Sequence, residues 1–215
     1  MGNYEYLLFD LDGTLTDPAE GITNSVIHAL RKWEIEVSDK RELYCFIGPP
    51  LSASFKKYYG FSDEDSLKCV EYYREYFRDR GIFENKVYRG IDNLLGELKK
   101  SGKVLILATS KPETFAKKIL DHFDLTKYFD FVAGASMDES RNKKADVIRY
   151  ALGMAQITDT SRALMIGDRD QDILGAKANG LDSLGVLYGY GDMAELEGAG
   201  ATYIAENVED ILKFV

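Results

Sequence analysis

The sequence predicts an α/β fold: a doubly wound parallel sheet, covered by helices on both faces, with an all-helical insertion. Two observations lead to this prediction. Short continuous apolar runs alternate with segments of helical spacing, as expected for parallel strands that are buried on both faces. One long stretch, about residues 18–88, instead has helical spacing and lacks a convincing buried strand. The 215 residues suffice for one large domain or two unequal ones.

Five apolar runs are the candidate strands of the sheet. The first has the letters YLLF and is followed directly by an acidic residue. The five runs cover residues 6–9, 104–108, 131–133, 163–166 and 183–187. Between them, apolar residues three and four apart predict helices. The repeating positions are Leu94, Leu95 and Leu98; Phe115, Ile119 and Leu120; and Val147, Ile148 and Leu152.

The insertion breaks this alternation. Its apolar residues mark two helix faces, which should pack into a small helical core. The positions are Ile22, Val26, Ala29, Leu30 and Trp33 on one face, and Leu67, Val70, Tyr73 and Phe77 on the other. We therefore expect an α/β core domain at residues 1–17 and 89–215 and a helical domain at residues 18–88.

The composition excludes several classes of partner. The chain has 27 basic and 36 acidic residues, a net charge of −9, which would repel a nucleic acid backbone. The longest aliphatic run is far shorter than the roughly 20 residues of a membrane helix, and the first residues lack a signal-peptide pattern. Cys45 and Cys69 have no metal-like spacing and are expected to be reduced. We expect a cytoplasmic monomer or homodimer without nucleic acid or membrane partners.

The first strand ends in the letters DLDGT, which places two carboxylates close together. Residues two apart in a strand point to the same side, so Asp10 and Asp12 project together beyond its carboxyl end, where doubly wound sheets bind ligands. Such a pair needs a proton or a cation, which suits Mg²⁺ or a nucleophile with an acid. Gly13 permits a tight turn, and Thr14 adds a hydroxyl. An acidic strand end with a glycine turn is the purely structural alternative.

Hydroxyl groups follow the second strand. Thr109 and Ser110 precede Lys111 and Pro112, and a proline is typical of a helix start. These residues would place oxygen atoms and N–H donors beside the end of the first strand. Ordinary helix capping is the alternative, because serine and threonine are common helix caps.

A further group of acids follows the fourth apolar run. Asp168 lies at the strand end, and Asp172 lies four residues on, at the start of a helix. Acids favour a helix N-terminus through its dipole, which accounts for Asp170 and Asp172 but not for Asp168. A third carboxylate at a strand end therefore indicates a site for a hard cation.

Two lysines, Lys143 and Lys144, open the helix that precedes the fourth run. Lysine at a helix N-terminus opposes the dipole, so one of them is expected to provide a fixed positive charge to the acidic site. Solvated surface lysines are the alternative, and the choice between the two residues stays open.

Taken in order, these segments resemble the motifs of the haloacid dehalogenase superfamily of phosphatases, whose core is Rossmann-like. The letters DLDGT at 10–14 are similar to the first motif, Thr109 to the second, Lys144 to the third, and GDRDQD at 167–172 to the fourth. The insertion resembles the helical cap of that superfamily. Segments 109–112, 46–51 and 186–191 are similar to the phosphoglycolate phosphatase branch and also to its bacterial 5′-nucleotidase-like relatives. Segment 141–148 is closer to the latter.

The resemblance implies a role for each catalytic position. Asp10 would attack phosphorus and carry an aspartyl-phosphate, and Asp12 would protonate the leaving oxygen and then deprotonate the hydrolytic water. Thr109 would bind a phosphoryl oxygen, while Lys144 would steady Asp10 and the phosphoryl group. Mg²⁺ would be held by Asp10, the backbone carbonyl of Asp12 and Asp168, with Asp172 bound directly or through water.

The substrate of such an enzyme would be a small phosphorylated metabolite. Its contacts would come from Gly13, Thr14, Ser110 and Lys111 of the core and from Gly48 and Pro49 of the insertion. The turn at 48–50 could present backbone donors or simply connect two helices, and both interpretations stay open. The aromatic content would suit a nucleobase, whereas a two-carbon acid such as phosphoglycolate would prefer an arginine, so the substrate is open as well.

Asp12 also bears on the class of reaction. Dehalogenases of the superfamily use the aspartate nucleophile but lack this second acid, since halide needs no proton. An acid at this position favours an oxygen leaving group and hence phosphate transfer. Sugar phosphomutases share the aspartyl-phosphate and are an alternative. A signalling receiver domain and a non-catalytic phosphate-binding module are alternatives from other classes.

Overall fold

The computed structural model describes residues 4–138 and 140–215, which divide into two units. One unit is built from the chain through Asp17 and from Val87 to the end, and the other is the segment Pro18–Lys86. The first unit carries a large sheet, and the second is built of helices.

The segment Pro18–Lys86 contains helices α1 (Ala19–Arg31), α2 (Leu51–Tyr59) and α3 (Asp63–Tyr76), a 3-10 helix at Lys40–Phe46 and a π-helix at Phe77–Gly81. Most of the predicted apolar positions are buried, but Leu67 is exposed, so its prediction was wrong. The buried face of α3 is set by Ser66, Cys69, Val70 and Tyr73, and Leu67 lies beside that face. Within the described part of the chain, no helix combines the length and apolar character needed to cross a membrane.

The main sheet confirms the predicted doubly wound α/β fold. The strands of the protein are β1 (Tyr6–Phe9), β2 (Thr16–Asp17), β3 (Lys86–Val87), β4 (Val104–Pro112), β5 (Phe131–Ala135), β6 (Ala163–Gly167), β7 (Asp182–Val186) and β8 (Tyr203–Ala205). Six of them form a parallel sheet in the order β5-β4-β1-β6-β7-β8, while β2 pairs with β3. All five predicted strands are present, and β8 is an additional short edge strand.

Strand β1 lies between β4 and β6, where the order of the strands changes direction. Phe9 is level with Leu107 of β4 and with Ile166 of β6. Asp10 donates its N–H to the carbonyl of Ile166 at 2.9 Å. The parallel register therefore brings the residues that follow these three strands to one edge of the sheet, at the kind of switch point where doubly wound proteins bind ligands.

The helices of the first unit are α4 (Ile91–Lys100), α5 (Glu113–His122), α6 (Lys144–Met154), α7 (Asp170–Ala178) and α8 (Met193–Ala199). Helix α6 is held by the hydrophobic core, because Val147, Ile148 and Ala151 are buried in one cluster with Leu8 and Met165 of the sheet. Removing these side chains from water fixes α6 against the strands. The first residue of α6 is thereby held near the strand ends.

Candidate active site

Three carboxylates converge at the edge of the sheet where β1 and β6 end. Asp10 follows β1, Asp168 follows β6, and Asp172 lies in the first turn of α7. One oxygen of each lies within 4.8 Å of the others, and all three residues are buried. The fold thus surrounds one point with three hard oxygen donors, the type of ligand that Mg²⁺ prefers.

Lys144 supplies the positive charge of this cluster. Its Nζ lies 2.8 Å from Asp10 Oδ1 and 2.7 Å from Asp172 Oδ1, and it donates to the carbonyl of Ala108 at 3.1 Å. Burial alone would lower the pKa of Lys144, but the Asp10 and Asp172 carboxylates outweigh it and raise the pKa above its ordinary value. The ammonium therefore stays charged. Lys143 is exposed and precedes α6, so the structure places Lys144 rather than Lys143 in the site.

Two carboxylates of the cluster, Asp168 and Asp172, resist ionisation. Burial raises the pKa of Asp168 well above its usual range, and the charges of Asp172 and Asp10 raise it further. Burial also raises the pKa of Asp172 to about 6, although Lys144 opposes the rise. When all are ionised, three carboxylates and one ammonium leave an excess of two negative charges. A divalent cation would balance that excess, so the residues present fit Mg²⁺ in both charge and donor type.

Asp12 lies two residues after Asp10 but has a different partner. Its Oδ2 lies 2.7 Å from Lys111 Nζ, and both side chains are buried. Its Oδ1 has no hydrogen-bond partner among the residues that the structure describes. Burial raises the pKa of Asp12, while the charge of Lys111 opposes the rise. The two carboxyls of the DLDGT segment thus have separate environments, which allows them separate chemical roles.

Gly13 and Thr14 hold the turn after β1 against Asp168. Gly13 has a φ of +85°, and a Cβ atom built on it would lie 2.1 Å from Asp168 Oδ2. Only glycine is compatible with this backbone and this close approach. The Thr14 hydroxyl donates to Asp168 Oδ1 at 3.2 Å. Both residues therefore hold the Asp168 carboxylate in place. Their contact with substrate stays a prediction.

The hydroxyl groups after Ala108 lie where β4 loses its regular pairing. The register between β4 and β5 shifts between Thr109 and Pro112. Thr109 Oγ1 accepts a hydrogen bond from the Lys111 N–H at 3.2 Å, which stabilises the irregular backbone between these two residues. Ser110 Oγ is buried and has no partner within residues 4–138 and 140–215, so it is available to donate to a bound anion.

The segment after β7 supports the site, although the sequence analysis gave it no role. The Tyr190 N–H donates to Asp168 Oδ2 at 2.8 Å, and the Tyr188 hydroxyl donates to the Thr14 carbonyl at 2.9 Å. The letters VLYGYG at 186–191 contributed to the family resemblance, but no contact of this segment with the site was predicted from them. Their physical function is to hold Asp168 and the turn at Thr14.

Gly48 and Pro49 belong to the helical unit, in the segment between Phe46 and α2. Gly48 has a φ of +100°, so the backbone turns sharply there. Their role in substrate binding stays a prediction.

Comparison with known proteins identifies the family of this chain and several relatives. The profile of a family described as haloacid dehalogenase-like hydrolase matches residues 7–186. A 5′-nucleotidase from Pseudomonas aeruginosa is 44% identical over 200 residues, which cover 93% of this chain and 90% of that protein. Tyrosine-protein kinase PtkA from Mycobacterium tuberculosis is 39% identical over 188 residues, which cover 87% of this chain and 63% of that protein.

A solved structure is similar to this chain over nearly its whole length. The crystal structure of a predicted phosphatase from Clostridium acetobutylicum has a TM-score of 0.96 to this chain at 51% sequence identity. The match covers 98% of this chain and 97% of the other. At this identity and coverage, the similarity extends over both units of the chain.

Proposed function

The chain belongs to the haloacid dehalogenase-like hydrolases, and from this premise we propose that it hydrolyses a phosphate monoester through an aspartyl-phosphate on Asp10. The family match confirms the resemblance found in the sequence. The observation that carries the proposal is the contrast between two neighbouring carboxyls. Asp10 is paired with Lys144 within the acidic cluster, whereas Asp12 is paired with Lys111 and has a raised pKa.

The proposed reaction has two steps. In the first, a carboxylate oxygen of Asp10 forms a bond to phosphorus while the bond from phosphorus to the leaving oxygen breaks, and Asp12 gives that oxygen its proton. In the second, Asp12 takes a proton from water, whose oxygen attacks phosphorus and releases phosphate and the Asp10 carboxylate. The raised pKa of Asp12 favours the protonated form that the first step requires.

The other groups of the site stabilise charge. Lys144 lies against Asp10 and would also face the transferring phosphoryl group. The buried Ser110 hydroxyl, which has no partner among the described residues, would donate to one of the phosphoryl oxygens. Asp10, Asp168 and Asp172, with the backbone carbonyl of Asp12, would hold Mg²⁺. When bound, Mg²⁺ supplies positive charge that offsets the repulsion between the anionic nucleophile and the phosphate.

We propose nucleoside 5′-monophosphates as the first class of substrate. The support is the P. aeruginosa relative named 5′-nucleotidase, which is 44% identical over 93% of this chain. Phosphoglycolate is the second candidate and rests on the similarity of segments 46–51, 109–112 and 186–191 to that branch. The unit Pro18–Lys86 would act as the helical cap that selects between them.

The test is a phosphate-release screen over nucleoside 5′-monophosphates, phosphoglycolate, sugar phosphates and pyrophosphate, with Mg²⁺ or EDTA. Asp10→Asn, checked for folding by circular dichroism, is the control. The acceptor is tested separately, because the same aspartyl-phosphate could pass to a sugar hydroxyl in a phosphomutase, and one relative is named a tyrosine kinase. Phosphate release in step with loss of the ester supports water as the acceptor. Isomerised sugar phosphate, phosphotyrosine, or full activity of Asp10→Asn would contradict the proposal.

A further inference from the structure

Glu195 of α8 contacts the segment that connects Asp168 and Asp172. Its Oε1 accepts the Arg169 Nε–H at 2.8 Å and the Asp170 N–H at 2.9 Å. Its Oε2 lies 3.4 Å from Arg169 Nη2. One carboxylate from a separate helix therefore holds both residues that follow Asp168, and we infer that Glu195 is a positioning residue for the Mg²⁺ ligands. The inference rests on the metal site of the proposed function.

Arg169 transmits this contact to both ligands. Its side chain is fixed by Glu195, and its backbone N–H donates to Asp172 Oδ2 at 3.1 Å. Asp168 precedes it directly in the chain. A change in the position of Arg169 therefore displaces Asp168 through the peptide bond and releases Asp172 from its hydrogen bond.

Glu195 is itself held in place. Its N–H donates to Asp192 Oδ1 at 2.8 Å, which caps α8. Gly191 lies so near the site that a Cβ atom on it would be 2.0 Å from the Asp168 carbonyl oxygen. The side chains of Arg169 and Glu195 are 18% and 25% exposed, so their charge-assisted hydrogen bonds are only partly screened by water.

The charge of the Glu195 carboxylate is also balanced in this arrangement. A further carboxylate near three others would normally be unfavourable, but Arg169 pairs with Glu195 and balances its charge. The carboxylate also lies at the N-terminus of α7, where the helix dipole favours a negative group. Glu195 can thus orient the ligands without adding net charge to their cluster.

The experiment compares Mg²⁺ binding to the purified full chain and to its Glu195→Gln and Glu195→Ala variants by isothermal titration calorimetry. Glu195→Ala should weaken Mg²⁺ binding by roughly tenfold, an effect of the size seen when groups that orient metal ligands are removed. Glu195→Gln keeps an oxygen for the Asp170 N–H and loses the ion pair, so its affinity should lie between those of Glu195→Ala and the wild type. At saturating Mg²⁺, the KM for the ester should be unchanged. The control is Glu197→Ala, an exposed residue on the same helix.

A purely structural cap would lower Tm without changing Mg²⁺ affinity, and that result would overturn the inference. If Glu195→Ala does not fold, Glu195→Gln decides the question by the same titration. Wild-type protein that binds Mg²⁺ yet hydrolyses no ester would contradict the proposed function, while the effect of Glu195 on Mg²⁺ affinity would still decide its positioning role. Wild-type protein that binds no Mg²⁺ would overturn the inference outright.

Discussion

Replacing Asp168 with asparagine should stabilise the protein when no divalent cation is present. At neutral pH, Asp168 is buried beside Asp10 and Asp172, where ionised oxygens lack the solvation that water gives them. Asparagine can still accept the Tyr190 N–H, and its amide can donate to the Thr14 hydroxyl, which now donates to Asp168 at 3.2 Å. The substitution therefore removes a charge while the side chain keeps a partner at each of its two hydrogen-bonded positions.

The magnitude follows from the pKa of the neighbouring carboxyl. Burial raises the pKa of Asp172 from its ordinary value of 3.8 to about 6. A shift of about two units corresponds to about 3 kcal/mol of free energy against the ionised folded form above pH 6. Asp168 is buried in the same cluster and its pKa is also raised, so removing this poorly compensated buried charge should add roughly 1–3 kcal/mol to the free energy of unfolding. For a chain of this size, that gain raises Tm by roughly 3–10 °C.

Calorimetric melting in EDTA at pH 7.5 measures this difference. A carboxyl whose pKa is raised in the folded state contributes stability at low pH, and that contribution is lost as the pH rises through the folded-state pKa. As the pH falls toward the ordinary carboxyl pKa of 3.8, the wild type should therefore gain relative stability, and the advantage of Asp168→Asn should shrink. Mg²⁺ should reverse the order at pH 7.5, because ligand binding stabilises the wild type and the variant has lost a ligand.

Asp170→Asn is the matched control, since Asp170 is a partly exposed acid in the same segment. Loss of its negative charge, which the helix dipole favours in the first turn of α7, should lower the free energy of unfolding by less than about 1 kcal/mol. A Tm of Asp168→Asn below that of the wild type in EDTA at pH 7.5 would refute the electrostatic account of the cluster.

Three further substitutions test other parts of the site. Asp10→Asn should abolish phosphate release from an aryl phosphate while the circular dichroism spectrum stays unchanged; substantial remaining turnover would rule out Asp10 as the nucleophile. Lys111→Met should move the alkaline limb of the kcat/KM profile to higher pH, because Lys111 lowers the pKa of Asp12 and a proton donor must be protonated. An unmoved limb would separate Lys111 from the titration of the acid. Lys144→Met should lower the free energy of unfolding in EDTA by roughly 3–5 kcal/mol, as expected when a buried ion pair loses one partner. Equal denaturation midpoints for this variant and the wild type in urea would contradict that expectation.

Much of the fold was predictable because parallel strands buried on both faces leave continuous apolar runs. The position of Asp10, Asp12 and Asp168 at strand ends was predictable for the same reason, since each lies within three residues of the end of such a run. Strand β8 was missed because a three-residue edge strand leaves too short a run to recognise. Leu67 was misplaced because one residue of error in helical phase moves a side chain off the buried face.

The remaining features of the site depend on contacts between distant segments. The choice between Lys143 and Lys144 is decided by where α6 begins, and helix starts are poorly defined by sequence. The pairing of Lys111 with Asp12 depends on the irregular end of β4. Glu195 lies 25 residues beyond Asp170, and no local pattern links them. Such contacts follow from how the elements pack, which the order of residues along the chain does not display.

The ionisable side chains of the site all belong to one of the two structural units. They are Asp10, Asp12, Lys111, Lys144, Asp168 and Asp172, and every one belongs to the unit that excludes Pro18–Lys86. Their spacing is set within that unit, where Lys144 is carried on a helix whose Val147, Ile148 and Ala151 are buried in one cluster with residues of the sheet. Residues 18–86 can therefore change in evolution while the ionisable groups of the site stay in place. Substrate specificity can change in this way while the reaction stays the same.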